Sequence, residues 1–135
     1  MRFRYLGALA LIAMSFMARG DILCSATAEN IKGFNDDNVF SKEAVLDGVQ
    51  GTQDGHVKLH SEAGYEFWLV SAATVNSNGK TQRSFYTELH LPTGLIVRSP
   101  SALNSDEKQA RIELITYPQN SYLYDSMLLF KCKQY

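Results

Sequence analysis

The sequence lacks the short motifs that mark most catalytic and cofactor sites. It contains no G-x-S-x-G, no H-E-x-x-H, no glycine-rich phosphate loop and no C-x-x-C pair. The usual signatures of serine hydrolases, zinc proteases, nucleotide-binding folds and thiolate metal sites are therefore missing. A Ser-His-Asp arrangement has no fixed spacing, so the sequence does not test for one. We predict no cofactor and no metal site.

The chain also lacks a basic tract, internal repeats and low-complexity segments. Its 13 Lys and Arg residues stand against 14 Asp and Glu residues, for a net charge of −1. Without clustered positive charge, nothing favours nucleic acid or an anionic membrane surface as a partner. A length of 135 residues suits one domain with a modest core.

No apolar run is long enough to span a bilayer comfortably. Residues 6–18 are apolar and follow Arg2 and Arg4, but spanning needs about 20 residues. A positive start, a short apolar segment and small residues at Ala18 and Gly20 are typical of a secretory signal peptide. We predict a signal peptide over 1–20, an uncleaved anchor helix being the alternative. The protein is then secreted or periplasmic, with no stable membrane insertion after cleavage.

The cleavage site has a second candidate. Ala26 and Ala28 also form a small-x-small pattern, so cleavage after Ala28 is an alternative to cleavage after Gly20. The first cut keeps Cys24, whereas the second removes it. We favour the first, because the apolar segment ends close to Gly20, and we assign 21–135 to a single β-rich domain.

Cysteine is scarce, and its two copies lie near the ends of the predicted domain. In an exported chain, Cys24 and Cys132 predict a disulfide bond. The loop it closes is long, so the chain-entropy model gives a stabilisation of about 4 kcal/mol. Two unpaired thiols are the alternative, and cleavage after Ala28 would leave Cys132 alone.

Short alternating runs separated by turn signals predict an antiparallel β-sandwich or a small barrel built from hairpins. An edge strand is expected from Ile22 to Ser25. One short helix is expected near 41–47, where Ser41 can accept a hydrogen bond at the helix start and Gly48 suits its end. In residues 56–60, alternation places both histidines and Lys58 on one side of a strand, too far apart to share a metal ion.

The stretch 64–92 predicts the central hairpin. Its Asn78-Gly79 pair is typical of a two-residue turn. That turn pairs Trp68 with Leu89 and Val70 with Thr87, and it separates the strands into two faces. The predicted core face carries Trp68, Val70, Ala72, Phe85, Leu89 and Leu91. The predicted second face carries Tyr65, Phe67, Leu69, Tyr86, Glu88 and His90.

The second face mixes aromatic groups with a carboxylate and an imidazole, which is unusual for a solvated surface. It is either covered by another layer of the fold or exposed to bind a partner. We predict binding residues at Tyr65, Phe67, Tyr86, Glu88 and His90.

The functional prediction is a small exported binding module for a protein or glycan partner, of the inhibitor, immunity or non-catalytic toxin-subunit type. One alternative is a small secreted hydrolase that uses His90 with Glu88. Another is a structural subunit of a surface assembly, in which copies pair through a sheet edge. Homo-oligomerisation would also account for an aromatic second face.

Overall fold

Within the described part of the chain, eight antiparallel strands form two four-stranded sheets that pack together as a β-sandwich. The computed structural model describes residues 22–35, 37–44, 55–102, 105, 107–117 and 125–135. The signal-peptide prediction over 1–20 lies outside them. The strands are β1 (Ile22–Glu29), β2 (Asn38–Ala44), β3 (Gly55–Glu62), β4 (Tyr65–Val75), β5 (Thr81–His90), β6 (Ile96–Arg98), β7 (Gln109–Thr116) and β8 (Ser126–Gln134).

The first sheet has the order β2-β1-β8-β7. Burial alternates strictly along β1, with Ile22, Cys24, Ala26 and Ala28 pointing into the sandwich. The predicted edge strand at Ile22 is therefore wrong in its position, because β1 pairs with β2 on one side and with β8 on the other. A strand with an apolar residue at every second position can bury one face while both of its edges are hydrogen-bonded.

The predicted disulfide between Cys24 and Cys132 is confirmed. The two residues lie directly opposite each other in β1 and β8, and both are fully buried. The bond closes a loop with a sequence separation of 108. A buried disulfide of this kind is consistent with an oxidising location outside the cytoplasm.

Aromatic rings hold the two sheets together. Phe67 of the second sheet meets Phe130 of the first sheet edge-on, with ring centroids 5.2 Å apart. Phe40 lies 5.2 Å from Phe67 and 6.0 Å from Phe130. Phe67, Phe85 and Phe130 are at most 1% exposed. Burying a side chain of this size contributes about 1.5–3 kcal/mol.

The helix expected near 41–47 is wrong where the structure describes it. Residues 41–44 belong to β2, and residues 45–47 lie outside the described part of the chain. Ser41 pairs with Ser25 and Lys42 pairs with Cys24. A two-turn helix has little stability of its own, so pairing along β1 outweighs the local helix signal.

The second sheet has the order β3-β4-β5-β6, and its central hairpin differs from the prediction by one residue. The Asn76 carbonyl accepts from the Gly79 N–H at 3.0 Å, and its side-chain oxygen accepts from the backbone N–H groups of Asn78 and Lys80. The Asn76 N–H donates to the Lys80 carbonyl, so the tip holds three residues rather than two. Gly79 takes a φ of 78°, as such a loop requires.

The extra loop residue changes the partners along β4 and β5. Phe67 pairs with Leu89 and Trp68 with Glu88. A slip of one residue moves a strand's side chains to the opposite face, so the predicted faces of β4 are exchanged relative to β5.

In the described residues, no helix is long and apolar enough to cross a membrane.

Candidate functional site

One row of side chains crosses all four strands of the second sheet on the side away from the first sheet. Lys58 of β3 pairs with Trp68 of β4, Trp68 with Glu88 of β5, and Glu88 with Arg98 of β6. We call this side of the sheet the outer face. It carries Lys58, Glu66, Trp68, Val70, Tyr86, Glu88, His90 and Arg98, of which Val70 and Glu88 are buried.

The outer face is set by alternation from the buried residues of the same strands. Phe67, Leu69, Phe85 and Leu89 belong to the interior cluster, so their neighbours along each strand point outward. Lys58 and Arg98 are exposed, whereas Trp68 is partly exposed.

A bulge in β3 decides which of its side chains reach this face. The pairing shifts between Lys58 and His60, which leaves Leu59 as an extra residue that packs into the core. His56 and Lys58 precede the bulge and pair with outer-face residues, whereas His60 pairs with Phe67. The prediction that His56, Lys58 and His60 share one side is therefore wrong.

Glu88 is the buried centre of the outer face. Its residue exposure is 4%, yet its carboxylate has two partners. One oxygen lies 2.6 Å from His90 Nε2, and the other accepts from Arg98 Nε at 2.8 Å. Because an ionised carboxylate can only accept, His90 donates from Nε2.

The same contacts determine the charge of Glu88. Burial acts to raise its pKa, but the hydrogen bonds from His90 and Arg98 and the charges of those groups outweigh it, so the pKa lies below its ordinary value. The Glu88 hydrogen bond, followed by the negative charge of Glu88, raises the pKa of Arg98. Glu88 is therefore a fixed anion, and Arg98 is a fixed cation.

Trp68 lies between two of these groups. Its ring stacks on His90 with centroids 5.6 Å apart, and Lys58 Nζ lies 5.8 Å from its centroid. That position is within the range of a cation–π contact. Its indole Nε1 is buried and has no hydrogen-bond partner among the described residues.

The predicted binding residues divide between two faces. Tyr86, Glu88 and His90 come together on the outer face. Phe67 is fully buried inside the sandwich, and Tyr65 packs against the same interior cluster. The cause is the three-residue loop, which reverses the face of each β4 residue relative to β5. The prediction that Trp68 belongs to the core face is wrong for the same reason.

Sequence reasoning missed Lys58, Trp68 and Arg98 as members of one site. The signal that could have found Trp68 is Asn76, because an asparagine before the loop can accept from the turn N–H groups and favours a longer tip. Nothing in the sequence marks Lys58 and Arg98, since they join the row only through the register of β3 and β6.

Two kinds of chemistry are open to this arrangement. A rigid row of an aromatic ring and two exposed cations can bind a ligand, and the Glu88–His90 contact has the geometry of a carboxylate that orients a catalytic imidazole. No group of three or more His, Cys, Asp or Glu residues in the described ranges could hold a metal ion.

Comparison of the chain with protein-family models, with curated proteins and with solved structures found no match in any of the three.

Proposed function

We propose that this protein is a small exported binding module that holds a protein or glycan partner on the outer face of its second sheet. The proposal covers a protein of the inhibitor, immunity or non-catalytic toxin-subunit type. The observation that carries the proposal is the Lys58–Trp68–Glu88–Arg98 row, which crosses the whole sheet.

The row is organised before any partner arrives. Buried Glu88 holds the Arg98 side chain through Nε, and the Arg98 side chain is nevertheless 62% exposed. Its terminal nitrogens therefore extend the row toward solvent from a fixed position. Side chains already ordered in the free protein lose less conformational entropy on binding.

The position of β1 favours cleavage after Gly20 over cleavage after Ala28. Cleavage after Ala28 would remove seven of the eight residues of this central strand together with Cys24. Cleavage after Gly20 keeps both. We expect the intact mass of the exported protein to correspond to a chain that starts at Asp21 and carries one disulfide. A mass that starts at Glu29 would contradict this cleavage.

The binding proposal is tested by removing the row and looking for loss of capture. Trp68→Ala and Arg98→Ala proteins are immobilised beside the unchanged protein and exposed to a glycan array and to extract from the compartment where the protein occurs. Arg111→Ala is the matched control, because Arg111 makes a 2.8 Å ion pair with Glu113 on the other sheet. We expect Trp68→Ala and Arg98→Ala to lose a ligand that Arg111→Ala retains. If all three variants retain the ligand equally, the outer face is excluded as the binding surface.

Hydrolysis is the second candidate, and the 2.6 Å contact between Glu88 and His90 favours it. In that case Glu88 orients His90, and the imidazole acts as a general base. His90→Gln should abolish turnover in a screen of ester, peptide and glycoside substrates. If the unchanged protein turns over none of them, hydrolysis is rejected.

A further inference from the structure

The exposed charged side chains in the row across the outer face are cations. Its two exposed, permanently charged side chains at the ends of the row, Lys58 and Arg98, are both cations. The carboxylate between them, Glu88, is 4% exposed and already bound by His90 and Arg98. Glu66, which pairs with His90, is partly exposed like Trp68 and lies beside the row rather than in it. A ligand that approaches the row therefore meets positive charge on either side of Trp68.

The dimensions of the row are those of an extended ligand. Neighbouring strands lie about 4.8 Å apart, so β3 and β6 are separated by about 14 Å. An aromatic ring and two cations spread over that distance suit a chain of sugar rings bearing acidic groups. The ring can pack against an apolar sugar face, and the terminal nitrogens of Arg98 can donate to a carboxylate.

A protein partner fits the centre of the row less well. Tryptophan and arginine are enriched in protein interfaces, but lysine and glutamate are depleted there, and the cores of interfaces carry few charges. Here the central row consists of one aromatic side chain and three charged ones.

We propose that the outer face binds an anionic polysaccharide, with Arg98 and Lys58 receiving its carboxylates on either side of Trp68. This assignment rests on the proposed function and specifies the chemistry of the ligand at the same site.

The test uses two polymers that differ only in charge. Polygalacturonate carries a carboxylate on every ring, and its fully methyl-esterified form keeps the rings but loses the charge. Trp68 is the only tryptophan in the chain, so its fluorescence reports binding at the row. We expect polygalacturonate to change the fluorescence saturably, and we expect the affinity to fall as salt rises. The methyl ester should bind at least tenfold more weakly.

Variants then locate the contact. Arg98→Gln should weaken polygalacturonate binding about tenfold. Because that change also removes a partner of Glu88, Lys58→Gln provides a second measurement at an exposed position, with an expected loss of about threefold. Arg111→Gln on the first sheet is the matched control and should bind unchanged.

Three results would overturn the proposal that the ligand is an anionic polysaccharide. Equal binding of the methyl ester would show a site for neutral sugars, and equal weakening by Arg111→Gln would show unspecific attraction. No binding of polygalacturonate, combined with loss of a captured protein in Trp68→Ala, would point to a protein partner. The first and third results leave the proposed binding function standing. The proposed binding function is refuted by a different result, namely that no substitution on the outer face changes the capture of a protein or glycan.

Discussion

Replacing Glu88 by glutamine removes the charge at the centre of the outer face with little change in shape. Two charge-assisted hydrogen bonds are affected, one with His90 and one with Arg98. Such bonds each contribute about 1.5–3 kcal/mol to the free energy of unfolding when both partners are buried away from water. The side chains of His90 and Arg98 are 29% and 62% exposed, so both regain water when the carboxylate is lost. We therefore expect Glu88→Gln to lower the free energy of unfolding by about 2 kcal/mol at neutral pH.

The loss depends on pH in a defined direction. The pKa of folded Glu88 lies below its ordinary value of 4.5. A lowered pKa means that the carboxylate stabilises the fold fully above 4.5, and that this contribution is lost as the pH falls through the folded pKa. The difference in unfolding free energy between the unchanged protein and Glu88→Gln should therefore persist above pH 4.5 and shrink progressively below it.

Urea unfolding followed by Trp68 fluorescence and by circular dichroism measures this difference. An effect of about 2 kcal/mol shifts the urea midpoint by about 1–2 M. Glu113→Gln is the matched control, because Glu113 is paired with Arg111 at the same 2.8 Å but is exposed. An exposed pair contributes at most about 1 kcal/mol. The reasoning is refuted if both variants lose the same stability, or if the Glu88 difference does not shrink in acid.

Three further changes test the interior in the same unfolding experiment. Phe67→Ala should cost about 3–5 kcal/mol, because Phe67 is fully buried against Phe130; a cost below 1 kcal/mol would mean that the register of β4 is wrong. Thr87→Val should raise the unfolding free energy by about 1 kcal/mol, because the buried Thr87 Oγ1 has no hydrogen-bond partner among the described residues. A loss of stability in Thr87→Val would show that this hydroxyl is satisfied. Replacing Cys24 and Cys132 together by alanine should cost about 4 kcal/mol, and an unchanged urea midpoint would contradict the entropic contribution.

Much of the fold follows from local patterns in the sequence. Burial follows the alternation of apolar residues in β7 and β8, with Ile112, Leu128 and Phe130 inward. Two cysteines in the whole chain leave one pairing, and the structure forms it. Patterns of this kind are strong because the side-chain period of a strand is two.

The errors arise where one residue decides a register. A loop of three residues instead of two reversed the faces of β4, and an extra Leu59 sent His60 away from Lys58. At β2, the tertiary pairing with β1 outweighed a local helix signal. Asn76 is a local signal for the longer loop. The bulge in β3 and the pairing of β2 have no such signal, because they depend on what packs on both faces of the sheet.

The prediction of the candidate site is partly wrong for the same reason. Tyr86, Glu88 and His90 share a face as the alternation predicts, since all three lie on one strand, β5. Their partners Trp68 and Arg98 come from β4 and β6, and only the cross-strand register brings them together.

The position of the disulfide has a mechanical consequence. β1 and β8 are antiparallel, so the start of β1 and the end of β8 lie side by side, with Ile22 opposite Gln134. Force that separates these two ends peels the strands apart one pair at a time, beginning with Ile22–Gln134 and Leu23–Lys133. The next pair is Cys24–Cys132, which is covalently joined. Peeling stops there, and the strands enclosed by the bond, including the whole outer face, are shielded from tension.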